Sequence, residues 1–176
     1  MFEQNEAFRI PLVLETLSEG KDVCLVSEAG TPLISDPGFR LVQQCRKENH
    51  KVSPVPGPSA VIAALSASGL ETDQFIFLGF LPTKEGKKRK LLENALSQNI
   101  SVVFYESPYR VEKTLNLLST LAPDRPVCSA REMTKIHEDF YLDSAEEVLN
   151  YLKENNKIRG EFCIIIGKTP KTYNVD

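Results

Sequence analysis

Apolar and polar positions follow two different rhythms along this chain, and the switches between them mark its elements. Short apolar runs at 22–27, 51–55, 75–80, 101–106 and 161–166 read as strands, and 126–133 with 136–142 read as two more joined by a turn at Thr134-Lys135. Between them the apolar residues recur at helical spacing. One helix is expected over 5–18, with Asn5 as its cap and Gly20 just past its end. A second runs from Asp36 and Pro37 to about Asn49, and a third from Pro58 to Gly69. A fourth covers 84–98, a fifth opens at Ser107-Pro108 and runs to about Leu121, and a sixth starts at the Ser144/Glu147 capping box and ends near Asn155.

Strands that alternate with helices imply an α/β protein with parallel pairing. The polar turn 69–74 divides the chain into a domain over 1–73, a domain with a mixed sheet over 74–170, and a frayed tail over 171–176. The first block opens on a helix and holds only two clear strands, so its α/β layer reads as incomplete, or as buried against a partner.

Composition narrows the class. The 176 residues carry a net charge of −3, so any nucleic-acid contact must come from a local basic patch. No apolar stretch is long enough to span a bilayer, and the acidic, polar start argues against a secretory signal. The four cysteines, Cys24, Cys45, Cys128 and Cys163, have no metal-binding spacing and read as reduced thiols of a cytoplasmic protein; no metal site is expected.

The candidate chemistry sits in loops that follow strands, where α/β proteins collect their ligands. Glu28, Ala29, Gly30 and Thr31 form a Gly-Thr-Pro turn suited to a polar ligand, while Asp36 is expected only to cap the following helix. Ser59 and Ala60 open the third helix, where backbone N–H groups are free either for a ligand or simply as a helix start. Neither loop is a dinucleotide or P-loop signature. The tract Lys84, Lys87, Lys88, Arg89, Lys90 is the one dense basic feature: a solvated helix face, or a row of phosphate contacts. Tyr105 and Tyr109 stack on a base or pack at a domain interface, and Arg110 is a candidate anion ligand. In 130–138, strand alternation puts Arg131, Met133 and Lys135 on one side, and the run reads as a salt-bridged hairpin or a polar site.

Taken in order, the segments Ser27 to Gly38, Val55 to Ala60, Gly79 to Pro82, Phe104 to Arg110, Ala130 to Lys135 and Gly160 to Phe162 closely resemble the ribosomal RNA small subunit methyltransferase I family of the tetrapyrrole methylase superfamily. The resemblance implies a two-domain class III methyltransferase fold, S-adenosylmethionine as cofactor, a cytidine ribose 2′-hydroxyl in small-subunit ribosomal RNA of the 30S subunit as acceptor, and a homodimer. It implies that Glu28 to Thr31, Ser59, Ala60, Tyr105 and Glu106 face the cofactor. Arg131, Glu132, Lys135 and Arg110 would then lie near the acceptor. From their clustering beside a predicted cleft, Glu132 is expected to accept or relay the proton and Lys135 or Arg131 to position phosphate. Two departures stand out. Glu28 replaces the family's usual Asp, and the family's first strand with its Thr-Pro-Ile-Gly-Asn-Leu loop has no counterpart here. Two rival readings are a methylase of a small tetrapyrrole-like acceptor and a non-catalytic fragment with an RNA-binding or dimerising surface.

Overall fold

The computed structural model describes residues 6–170. The expected cap at Asn5 and the expected frayed tail lie outside the described residues. The chain divides into two compact units, one ending at Ser59 and one starting at Ala60. The boundary thus falls fourteen residues before the one expected at residue 73, and the third helix belongs with the second unit because its apolar face is buried there.

The first unit contains α1 (Glu6–Ser18) and α2 (Phe39–Lys47). The runs 22–27 and 51–55, expected as strands, carry no ladder. Val26 is 78% exposed and Val55 82%. An apolar run becomes a strand only when a neighbour takes up its N–H and C=O groups, and none does so among the described residues of this unit. Helix α2 also starts differently from expectation. Asp36 does not cap it; the cap position is Gly38, which offers no side chain. The buried Glu6 carboxylate does the work instead, accepting the Arg40 N–H at 3.0 Å and the Leu41 N–H at 3.3 Å. Free N–H groups and the positive end of the helix dipole both favour a carboxylate there.

The second unit contains α3 (Ala60–Ala67), β1 (Phe75–Phe80), α4 (Glu85–Leu96), β2 (Ser101–Glu106), α5 (Pro108–Leu121), β3 (Val127–Arg131), β4 (Asp139–Asp143), α6 (Ala145–Glu154) and β5 (Phe162–Ile166). The five strands form one sheet in the order β1-β2-β5-β3-β4. Only β1 and β2 pair in parallel; β5 runs antiparallel to both of its neighbours, β2 and β3. Alternation along each strand sorts side chains to two faces. Val102, Phe104, Ile164 and Ile166 point to the face covered by α4, α5 and α6, while Val103, Cys163 and Ile165 point to the face covered by α3. Ser144 caps α6 as expected, its hydroxyl accepting the Glu147 N–H.

The sheet fixes where functional loops emerge. Strands β1, β2 and β3 all run the same way, so Phe80, Glu106 and Arg131 end at one edge, and the register Glu106–Phe162–Arg131 puts the start of β5 beside them.

Candidate active site at the strand ends

In the first unit the two glycine loops meet. The Thr31 N–H and hydroxyl both donate to the Pro58 carbonyl, at 2.9 and 3.0 Å. Gly30 sits at φ +75°, where a side chain is strained, and a Cβ there would stand 3.2 Å from the same carbonyl. Ser27 braces the other end of the loop, donating to Asp36 Oδ2 at 2.5 Å and accepting the Ala29 N–H at 3.3 Å. Asp36 is thus a loop brace rather than a helix cap. Glu28, Ala29 and Gly30 are exposed on this braced turn, and Ser59 is half-buried after Pro58. Thr31, expected to face a ligand, has both donors committed to Pro58.

In the second unit, Ala60 is exposed at the start of α3. Tyr105 is half-buried on the α3 face of β2, with Phe77 and Phe80 ring centroids at 5.1 and 5.4 Å. Burial, more than the Cys163 thiol nearby, pushes its hydroxyl above the ordinary range. Glu106 points the other way. It is buried; its carboxylate accepts from the Ser107 N–H at 3.0 Å, the Thr114 hydroxyl at 2.8 Å and Lys88 at 3.5 Å, and it is ion-paired with the Arg110 guanidinium at 2.7 Å. Its partners are all from the protein, so Glu106 holds β2 to α4 and α5, and the expectation that it faces a cofactor gives way to a buried structural role.

The same network corrects the basic row. Lys88 is buried, donating to Thr114 Oγ1 at 2.7 Å, and leaves the phosphate-binding set. Its phase announces this: Lys88, Leu92 and Ala95 form the buried stripe of α4. Lys84, Lys87 and Lys90 remain exposed, and Arg89 lies 3.8 Å from Glu93. Arg110, expected near the acceptor, is pinned by Glu106 and by the Leu81 carbonyl at 3.0 Å.

Beyond Arg131 the expected strand stops. Glu132 (φ 50°) and Thr134 (φ 66°) adopt left-handed backbone, which breaks the alternation assumed for Met133 and Lys135. Arg131 itself is buried, donating to the carbonyls of Arg159 and His137 at 3.2 and 3.0 Å, so it braces the turn and is closed to phosphate. The Glu132 carboxylate accepts the Glu161 N–H at 2.8 Å and Lys135 at 3.0 Å, and Lys135 also reaches Glu161 at 2.9 Å. The Glu161 N–H, and then Lys135, hold the Glu132 carboxyl below its ordinary range; Glu161 and Glu132 push the Lys135 ammonium above its own. A carboxylate held in this way is a weak proton acceptor. Gly160 (φ +83°) completes the clamp, since a Cβ there would lie 2.5 Å from the Glu132 carboxyl.

A cavity of about 410 Å³ opens at the opposite edge of the sheet, among Leu121, Pro123 and Arg125. The Arg125 guanidinium is spent on the carbonyls of Gly167, Leu96 and Ile100, which leaves a structural tie rather than a binding group. No cluster of three or more His, Cys, Asp or Glu able to hold a metal occurs among the described residues.

A mixed sheet layered by helices, with its loops gathered at the strand ends, is an architecture seen in solved methyltransferases. The chain is similar to the uroporphyrin-III C-methyl transferase of Thermus thermophilus complexed with S-adenyl homocysteine, with a TM-score of 0.58 at 19% identity over 91% of this chain and 72% of that one. At that identity the likeness speaks for the fold. The family itself follows from the sequence: residues 2–149 match the Tetrapyrrole (Corrin/Porphyrin) Methylases, and the chain belongs to that family. Within it, the chain is similar to the ribosomal RNA small subunit methyltransferase I of Hydrogenobaculum sp., at 41% identity over 98% of this chain and 74% of the relative. It is likewise similar to the protein of that name from Haemophilus influenzae, at 40% identity over the whole chain and 63% of the relative, so it spans less than two thirds of that protein's length.

Proposed function

We propose that this chain serves S-adenosylmethionine-dependent methylation of small-subunit ribosomal RNA, in the cytoplasm, with the ribose 2′-hydroxyl of a cytidine in the 30S subunit as acceptor and a homodimer as the working form. The observation that carries this reading is the identity of about 40% to ribosomal RNA small subunit methyltransferase I across nearly the whole chain. The exposed basic residues of α4 favour it over a small tetrapyrrole-like acceptor, which has no use for a row of cations.

The residues at the first unit's paired loops suit the cofactor. Gly30 keeps its backbone bare of a Cβ on an exposed turn, Glu28 adds an exposed carboxylate able to meet hydroxyls or an ammonium, and the Thr31–Pro58 bonds hold the turn in shape. Within the first unit, Glu28, Ala29, Gly30 and Ser59 would hold it and Thr31 would act by positioning; in the second unit, Ala60 and Tyr105 are the residues proposed to face a cofactor. When bound, the cofactor supplies an electrophilic methyl group on a sulfonium. The protein's part is then to place the ribose oxygen in line and to exclude water. The clamp around Glu132 gives that residue and Lys135 the task of shaping the acceptor side rather than moving the proton, and Arg131 supports the same turn from beneath.

The test is transfer of labelled methyl to unmodified 30S subunits, followed by alkaline hydrolysis. A 2′-O-methylated ribose cannot assist cleavage of its own phosphodiester, so the label should emerge in an alkali-resistant dinucleotide. Label released as a methylated base, or transferred only to a porphyrinoid, would overturn the reading.

A further inference from the structure

The edge where β1 and β2 end carries a feature the methyl-transfer chemistry does not use. Tyr109, in the first turn of α5, is 93% exposed. An aromatic ring of this size normally contributes its area to a core or an interface. Its neighbour Arg110 is tied down on Glu106 and Leu81, so the turn that presents the ring is fixed. Lys113 stands one turn further on the same exposed face. Helix α4 starts beside α5 on the same face of the sheet, after the adjacent parallel strand, and the two are joined through Lys88 and Thr114. Lys84 immediately precedes α4 and is exposed, as are Lys87 and Lys90 in the first turns of that helix. A bare aromatic face thus shares one edge with four exposed ammonium groups, in a chain whose net charge is −3.

We infer that this edge is a seat for a single-stranded segment of RNA, with one unpaired base stacked on Tyr109 and the flanking phosphates held by Lys84, Lys87 and Lys113. The inference rests on the functional reading above and deepens it by naming the form of RNA recognised. Stacking demands a base free of its partner, whereas cations alone accept any polyanion. The single exposed acid in the first turn of α4, Glu85, leaves the balance of the edge positive.

The experiment measures binding of the intact protein to a short single-stranded RNA, to the same RNA annealed to its complement, and to heparin, each across a salt series. Tyr109→Ala should weaken single-stranded RNA binding about tenfold with its salt slope unchanged, Tyr109→Phe should restore it, and heparin binding should not respond to either. Lys87→Ala should instead flatten the salt slope by about 0.7, the loss of one phosphate contact. Because Tyr109 is almost fully exposed, an unchanged melting temperature is expected in both tyrosine variants. RNA binding by the wild type that survives Tyr109→Ala, or equal loss for heparin or duplex, overturns this inference alone. A wild-type protein that binds no RNA overturns it together with the functional reading.

Discussion

The buried network on Glu106 makes a quantitative prediction. Its carboxylate is fully buried and the Lys88 side chain is 8% exposed, with Thr114 between them. Glu106→Leu removes the anion and leaves the Lys88 ammonium inside with a single hydroxyl for company. Stranding a buried charge costs about 3–5 kcal/mol. For a folding unit of this size, at about 4 °C per kcal/mol, the melting temperature should fall by about 12–20 °C. Arg110 keeps its bonds to the Ser107 hydroxyl and the Leu81 carbonyl and 23% of its side chain already meets solvent, so it adds little to the loss. The decisive control is the double variant Lys88→Met, Glu106→Leu. Replacing both charges by apolar groups of similar size removes the desolvation penalty with the pair, and most of the lost stability should return. Urea and thermal unfolding followed by circular dichroism read both. A loss below about 1 kcal/mol for Glu106→Leu, or a double variant no more stable than the single one, would refute the idea that the network is closed to solvent.

Two further outcomes follow from other sites. Burial pushes the Cys128 thiol up to about 11 and Cys163 to about 12, and raises that of Cys45, while Cys24 is exposed. An aromatic disulfide reagent at neutral pH should therefore modify Cys24 promptly and the other three only as the protein unfolds, and rapid modification of Cys128 or Cys163 would contradict the packing of β3 against β5. The clamp gives a pH signature: Glu132 has its folded value lowered, so its contribution is complete above the ordinary carboxyl value of 4.5 and fades as pH falls through the lowered one. Lys135 is raised, so its share is complete below its ordinary 10.5 and fades only as pH climbs through the higher value. Urea midpoints of wild type and Glu132→Gln should differ by a constant amount between about pH 6 and 9 and converge in acid; a gap that opens in acid would carry the wrong sign.

The second unit was largely legible in advance because its signals are local. Val102 to Phe104 and Cys163 to Ile166 are β-rich and apolar, Ser144 and Glu147 form a recognisable cap, and Pro108 marks a helix start. The misreadings share one physical cause, since each depended on a partner distant in the chain. The runs 22–27 and 51–55 have strand composition, but a ladder needs a second strand that no local window contains. Glu6 caps a helix that begins 33 residues later, a bond that spacing rules cannot see. At the strand ends, counting every second residue past Arg131 failed because Glu132 turns left-handed to meet Glu161 and lie over Gly160. Lys88 was the exception: the stripe it shares with Leu92 and Ala95 was available in the spacing, and basic composition hid it.

The position of β5 has a consequence for how this protein comes into being. The last of the five described strands lies in the middle, bonded on one side to the β1–β2 pair and on the other to the β3–β4 hairpin. During synthesis those two pieces can each form early, yet nothing in the ladder joins them until Phe162 to Ile166 has left the ribosome. Closing this sheet therefore needs pairing between segments some sixty residues apart, from Val102 to Ile166, a non-local contact of the kind that slows folding and lengthens the interval in which strand edges stand open to aggregation.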